Sequence, residues 1–294
     1  MSTTLSRPPS TAALTLKAAT TLLRRPDGKP AIPPLSVRLD GQRAPSEQLA
    51  AYRELCGFGD SRTLPITFPH IMAAGMLLHL LTRPEFPLPL LGLVHFRNRI
   101  EQTRGIGTGE ALDFELSIGE AREVRQGLEF DLITRVTADG EEVWREVMTN
   151  LYRLPAPKSK AAPPPPPPAR LAEYLPFSAP ADIGRRYAAI GKDYNPIHLA
   201  PLPAKLFGFP RHIAHGMWTL ACCAAQLGER LDHEPKRLDV AFRQPLLLPG
   251  RATLKFTHAE ALPPAAVGGA VPAGFDFELL SARDGRVHLQ GVLR

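Results

Sequence analysis

Cysteine is scarce in this chain: Cys56, Cys222 and Cys223 are the only three among 294 residues, and two of them are adjacent. They cannot staple a chain of this length, which excludes a disulfide scaffold and points to a reducing compartment, the cytoplasm. No apolar run approaches the ~18–20 residues that a membrane-spanning helix needs, so membrane insertion is not expected. A secretory leader is missing as well. No acidic residue precedes Asp27, while Arg7, Lys17, Arg24 and Arg25 sit among Ser, Thr and Ala. Transit peptides share that composition, and so does an arm or edge strand over Leu14–Leu23 packed onto the body that follows, which is the preferred reading. There is no G-x-S-x-G, no P-loop, and no G-x-G-x-x-G leading into a helix. No basic cluster is interleaved with aromatic residues, so nucleic acid is not an expected partner.

Apolar residues make up 44% of the sequence and charged ones 22%, a composition that supports a substantial core. Six consecutive prolines, Pro163–Pro168, lie within Pro155–Arg170. Proline lacks an amide donor and fixes φ, so this stretch reads as a semi-rigid polyproline II spacer of about 20 Å. The chain therefore divides into an N-terminal arm (1–34), a first domain (35–154), a linker (155–170) and a second domain (171–294).

The two domains repeat each other in order. Phe68-Pro69, Ile71 and Gly75-Met76 answer Phe209-Pro210, Ile213 and Gly216-Met217, and Phe96-Arg97 answers Phe242-Arg243. Gly127–Leu132 answers Gly274–Leu279, the turns Asp139-Gly140 and Asp284-Gly285 follow, and Tyr52 and Tyr187 lie upstream. Matches in one order indicate duplication. Residues 71–81 are apolar except for His79, as in a helix buried on most sides, and Pro84 stops it. Ile213, Met217, Leu220, Ala224, Leu227 and Leu231 form the stripe of a second helix. Leu112, Phe114, Leu116 and Ile118 alternate with polar residues, as do Phe275, Phe277 and Leu279. The acidic excess at 101–150, 12 acidic against 5 basic groups, is then mainly the wet face of a one-sided sheet. The fold class is α+β: a long helix wrapped by a curved antiparallel sheet, twice.

Chemistry concentrates at Asp193, Asn195 and His198, with Pro196 between them. Proline biases Asn195 away from helix, so the segment is a loop. A carboxylate and an imidazole five residues apart on a loop can converge on one water molecule or one proton, a general acid/base device. The plainer alternative is an Asx turn and a surface histidine. His212 and His215 are spaced like a metal pair, but no third ligand stands nearby, and a structural or capping role is the expectation.

Asp193-Tyr-Asn195-Pro196-Ile-His198, followed by Ala214-His215-Gly216-Met217, resembles the MaoC-like (R)-specific enoyl-CoA hydratases, also described as (R)-3-hydroxyacyl thioester dehydratases. The likeness is strong over roughly 180–250 and persists through the rest, as in the double-hotdog members. It implies two tandem hotdog domains forming a pseudo-dimer within one chain. The first has lost its catalytic loop, because RELCGFGDSRTLPITFP after Tyr52 offers Asp60 but no D-x-N-P-x-H. On that resemblance Asp193 and His198 hold the water as the acid/base pair, Asn195 orients loop and water, and the Gly216 N–H donates to the thioester carbonyl, with no cofactor or metal. Water addition asks for those groups, and a helix N-terminus offers free N–H donors. The implied partner is an acyl-CoA or acyl-carrier-protein thioester, and a monomer suffices, with a homodimer as the other option. The first domain's helix (Met72, Met76, Leu77, Leu81) either lines an acyl tunnel or is plain core, the latter preferred.

One departure is Lys192, where the family usually has a small residue, most often Gly. Its cation can act on Asp193, reach a substrate phosphate, or point to solvent, the last preferred. Lys205, Arg211 and Arg243 are the candidates for binding the substrate's diphosphate and pantetheine, chosen by position. Two rival functions are an acyl-CoA thioesterase and a non-catalytic acyl-thioester binder.

Overall fold

The computed structural model describes residues 2–24, 26, 30–154, 173–260, 262–265 and 269–294. The Pro-rich spacer expected at 155–170 lies outside the described residues. In the first half the elements are β1 (Ser2–Leu5), α1 (Thr11–Thr20), β2 (Ser36–Gln42), α2 (Ser46–Cys56), α3 (Phe68–Thr82), β3 (Leu93–Gln102), β4 (Leu112–Ile118), β5 (Arg122–Val124), β6 (Gly127–Ala138) and β7 (Glu141–Arg153). The second half has β8 (Glu173–Ala179), α4 (Ile183–Gly191), α5 (Pro196–Leu199), α6 (Pro201–Leu206), α7 (Gly216–Gly228), β9 (Arg237–Phe242), β10 (Gly250–Ala259), the small pair β11 (Leu262–Ala265) and β12 (Gly269–Val271), β13 (Gly274–Ser281) and β14 (Val287–Leu293). None of the helices is long and apolar enough to cross a membrane.

One sheet of 12 strands runs through both halves in the order β1-β2-β4-β6-β7-β3-β9-β14-β13-β10-β8, with β5 on β6. All pairings in it are antiparallel except β1 with β2. The expected alternation holds: Leu112, Phe114, Leu116 and Ile118 are buried, as are Phe275, Phe277 and Leu279. Two apolar helices fill the concave side, α3 against β2 and β4, and α7 against β9 and β14. Their sequences explain this, since α3 is apolar nearly all round and stops before Pro84, while α7 buries Met217, Leu220, Ala224 and Leu227. The halves interlock further because α2 packs on α7 and on α4, and α3 packs on α4. Trp144 is fully buried and donates its indole N–H to the Ile66 carbonyl at 2.8 Å.

Two expectations change. Leu14–Leu23 is not an edge strand: the edge strand is β1, and Thr11–Thr20 is a helix lying on α3, with Pro9 and Thr11 against Gly75. Alanine and leucine at these positions favour helix over strand. Arg24 then pins the arm by donating to the Leu81, Thr82 and Arg83 carbonyls at the end of α3 and to that of Leu88 in the connection beyond it. The match of Phe68-Pro69 with Phe209-Pro210 also fails in space. The first opens α3, whereas the second sits in the loop ahead of α7. Ile71 and Gly75 likewise lie inside α3, whereas Ile213 precedes α7 and Gly216 opens it, so the matched residues stand at different places along the two helices.

The Gly127/Gly274 match does hold. A Cβ on Gly127 would overlap the Tyr152 carbonyl oxygen, and one on Gly274 would overlap that of Leu293, each the ladder partner of the residue that follows the glycine. Replacing Gly274 with Ala is expected to cost about 2–3 kcal/mol of stability, because backbone on a paired strand cannot retreat. Chemical denaturation would measure the loss; a change under about 0.5 kcal/mol would contradict this account.

Candidate active site

The long connection between α4 and α7 carries the predicted residues. Tyr52 lies 15 positions before Thr67, the N-cap of α3, whereas Tyr187 lies 28 positions before His215, the N-cap of α7. The two tyrosines are equivalent, since Tyr52 donates to the Thr67 hydroxyl at 2.8 Å and the Tyr187 ring lies 4.9 Å from the His215 ring. The second half has therefore gained a loop between helix and helix, and Asp193–His198 sits in it.

Local chemistry shapes that loop. Lys192 ends α4 in the left-handed region at φ 59°, a conformation that glycine adopts freely, which explains the family's preference for Gly there. Its ammonium folds back onto the Ala189 carbonyl at 2.6 Å, capping the helix rather than acting on Asp193. Asn195 accepts a 3.4 Å hydrogen bond from the Ile197 N–H and so caps α5, with Pro196 in its first turn. The Asn195 N–H donates to the Asp193 carboxylate at 3.1 Å. Gly184 was missed by the sequence reading. A Cβ there would overlap the His198 carbonyl oxygen, so α4 needs glycine to let the loop pass.

His198 is buried and its Nδ1 lies 2.9 Å from the Ile213 carbonyl oxygen. A carbonyl only accepts, so Nδ1 carries the proton and Nε2 keeps a free lone pair. The His215 ring stacks on it at 3.7 Å. His215 Nε2 donates to the Asp193 main-chain carbonyl at 3.1 Å and stands 3.8 Å from its carboxylate. Burial, then the neighbouring His198, push His215 down to about 3, so at neutral pH it is uncharged. Burial likewise lowers His198, against the raising pull of Asp193. Asp193 has a side chain 55% exposed, open to the cleft while hemmed by both imidazoles. Burial raises its carboxyl, but His215, His198 and the Asn195 N–H outweigh that, and it is held below the ordinary carboxylate range. A neutral imidazole with a free nitrogen thus faces an ionised carboxylate.

Gly216 is the first residue of α7, and its N–H finds no acceptor among the described residues. A Cβ on Gly216 would lie 2.9 Å from the Phe242 ring, so the ring requires glycine there. Of the three predicted cations, Lys205 lies exposed on α6, Arg211 is exposed ahead of α7, and Arg243 is exposed after β9, donating to Gln290 at 3.3 Å. No hydrogen bond or ion pair among the described residues ties them to Asp193 or His198. Met76 and Leu77 of α3 are core, as expected. His212 donates to the Ala181 carbonyl at 2.7 Å, the structural role expected of it. Asp193, His198 and His215 offer ligand atoms within 4.8 Å of one another, the grouping among the described residues that could hold a metal ion.

A second polar cluster, not foreseen, comes from the first half. Glu146 of β7 is bound by His70 of α3 at 3.0 Å and by Asn98 of β3 at 2.7 Å, and Asn98 lies 3.4 Å from His95. Burial lowers His95 to about 4. Burial also opposes charge on His70, but Glu146 and then Asp193 raise it above the ordinary imidazole value.

Two hotdog units sharing one sheet, with one Asp/His loop between them, define the double-hotdog acyl-thioester class of fold. A protein of Mycobacterium tuberculosis described as having a double hotdog fold superposes with a TM-score of 0.56 at 13% identity, covering 87% of this chain and 94% of its own. Residues 162–261 match the MaoC like domain. The chain is 33% identical over 287 residues to 3-hydroxyacyl-thioester dehydratase X of Mycobacterium tuberculosis, covering 93% of this chain and 96% of the relative. The crystal structure of HtdX from the same organism superposes with a TM-score of 0.71 at 31% identity, over 88% of this chain and 99% of that one. The chain belongs to the MaoC-like dehydratase family.

Two outcomes are expected. Gly184→Ala should lower turnover about tenfold or more by displacing His198, although alanine is the better helix former; turnover within about twofold of wild type would refute the role. Acidification should destabilise the fold. His215 and His95 stay neutral in the native state down to about 3 and about 4, while unfolded histidine protonates near 6.5. The unfolded chain then binds more protons, so stability falls as pH drops below about 6.5, by roughly 2 kcal/mol for His95 between pH 7 and 5. His70 has the opposite sign, its contribution being lost as pH rises above its raised value. Denaturant unfolding of wild type and His95→Gln at both pH values tests this, with a shallower dependence expected in the variant.

Proposed function

We propose that the protein interconverts (R)-3-hydroxyacyl and trans-2-enoyl thioesters, as a hydro-lyase with one active site at the seam of its two hotdog units. The single observation that carries this is His198. It is buried, its Nδ1 is committed to the Ile213 carbonyl, and its free Nε2 is placed beside the ionised Asp193 at the N-terminus of α7. The 33% identity with a 3-hydroxyacyl-thioester dehydratase supports the same chemistry.

In the hydration direction a water is held between the Asp193 carboxylate and His198 Nε2. His198 takes a proton as the oxygen bonds to C3, and the π electrons move onto the carbonyl oxygen. The Gly216 N–H, reinforced by the helix dipole, donates to that enolate oxygen. The proton then passes to C2, and dehydration is the reverse. Asn195 holds the carboxylate and caps α5. Asp193 ionised and His198 neutral are both present near pH 7, as acid/base work there requires.

In this reading 35–154 is the unit without a loop, 171–294 the catalytic unit, and 155–170 the linker. Lys205, Arg211 and Arg243 are the surface cations available to a CoA diphosphate or the phosphopantetheine of a carrier protein. One chain already contains both sides of the seam, so a monomer suffices and a homodimer is compatible. Three free, buried thiols accord with the cytoplasm.

Loss of the enoyl-thioester absorbance band on mixing with crotonyl-CoA or longer trans-2-enoyl-CoAs is the expected result. Asp193→Asn and His198→Ala should each slow it about 100-fold or more. Release of free thiol with an unchanged double bond would identify a thioesterase instead, and binding without reaction would identify an acyl-thioester binder.

A further inference from the structure

The half that lacks the Asp/Asn/His loop nevertheless carries a buried ion pair beside the site. The Glu146 side chain is 1% exposed and that of His70 14%, so the carboxylate is closed off while the imidazole keeps one open edge. His70 Nδ1 is taken by Glu146, whose remaining oxygen is taken by Asn98, and Nε2 has no partner among the described residues. Burying such a pair is costly and is weak evidence for a stabilising role.

Its neighbours reach both the Asp193 loop and the start of α7. Ile71, next to His70, packs 3.5 Å from where a Cβ on Gly191 would lie, two residues before Asp193. His95 meets the Phe242 ring edge-on at 5.0 Å, and that ring abuts Gly216. A chain of contacts thus runs from the His70–Glu146 pair through Asn98, His95 and Phe242 to Gly216 at the start of α7. Asn98 Oδ1 is a buried acceptor left without a partner there.

We propose that His70 is a further substrate-contacting residue, donating from Nε2 to the oxygen that enters or leaves C3, opposite Asp193, with Glu146 and Asn98 as its positioning residues. The inference rests on the hydratase reading above. A water in this place donates its two protons to Asp193 and His198 and accepts from His70, leaving one lone pair for C3. In dehydration the same N–H stabilises charge on the departing oxygen. His70 transfers no proton, so the balance of the reaction is unchanged. The groups facing His70 are Glu146 from β7, Asn98 and His95 from β3, and Asp193 from the loop.

The test is the pH dependence of kcat and KM for trans-2-enoyl-CoA hydration in the full chain, with His70→Ala, His70→Gln and Glu146→Gln, each checked for a folded melting profile, and Asp193→Asn alongside. His70→Ala should lower kcat about 10- to 100-fold with KM within about threefold. The wild-type alkaline limb should move about one pH unit lower in Glu146→Gln. In His70→Gln it should vanish while part of the rate returns, because the amide donates without titrating. A purely structural role would move neither the limb nor the split between kcat and KM. Turnover within about twofold in His70→Ala, or an unmoved limb in Glu146→Gln, overturns the proposal. Should His70→Ala fail to fold, the limb in the other two variants decides. A wild type inactive on every thioester overturns the hydratase reading and this inference together, whereas an active wild type, a dead Asp193→Asn and an active His70→Ala overturn this inference alone.

Discussion

The pairing of β3 with β9 is the contact on which the rest of the molecule depends. Five residue pairs, from Arg97–Ala241 to Glu101–Arg237, join two curved sheets into one and set their mutual rotation. Arg99 and Asp239 bridge it at 2.9 Å, and the Gln102 N–H continues the ladder to the Lys236 carbonyl. Each strand would otherwise be an open edge, so pairing them removes the liability that a single hotdog sheet carries. With that register in place α4 must lie on α2 and α3, and the loop that follows α4 must open at the boundary between the halves. The site is a consequence of how two sheets meet.

That boundary also explains its electrostatics. A buried imidazole loses its charge unless a carboxylate stands against it. His215 and His95 are left neutral, and His70, with Glu146 at 3.0 Å, is held above the ordinary imidazole value. Asp193 opens to the cleft and takes one main-chain N–H, so it stays ionised. One small volume thus holds a free base and an ionised carboxylate. The Phe242 ring stands against Gly216 at the helix start.

Duplication has left the two halves unequal in an instructive way. Tyr52 and Tyr187 keep their places, and Gly127 and Gly274 make the same close approach across the ladder. Thr67 stands where the other half has His215, and the connection ahead of it is 13 residues shorter. The first half has no acid/base loop but retains polar residues on the face it turns toward its twin. A core position holding Glu146 is explained by that face and not by packing.

The strands, the two apolar helices and the non-helical turn at Asp193–Asn195 could be read from the sequence because each follows a short-range rule: alternation by two, a stripe by 3.6, and a proline after Asn195; Pro196–Leu199, expected as loop, is instead the one-turn helix that carries His198. Gly184, the His198 tautomer, the stacking of His215 and the purpose of Gly216 could not be read there. Each is decided by an atom far along the chain: the His198 carbonyl for Gly184, Ile213 for His198, Phe242 for Gly216. The same holds for His70, Asn98 and Glu146, which come from three elements and look like unrelated polar residues until the seam assembles them. The sequence by itself determined the elements, the duplication and the chemical identity of the loop, because those depend on neighbours within a few residues. Only the tertiary structure decided which nitrogen is free, which carboxylate is charged and which second half faces the loop, because burial and Coulomb interactions act between residues that only folding brings together.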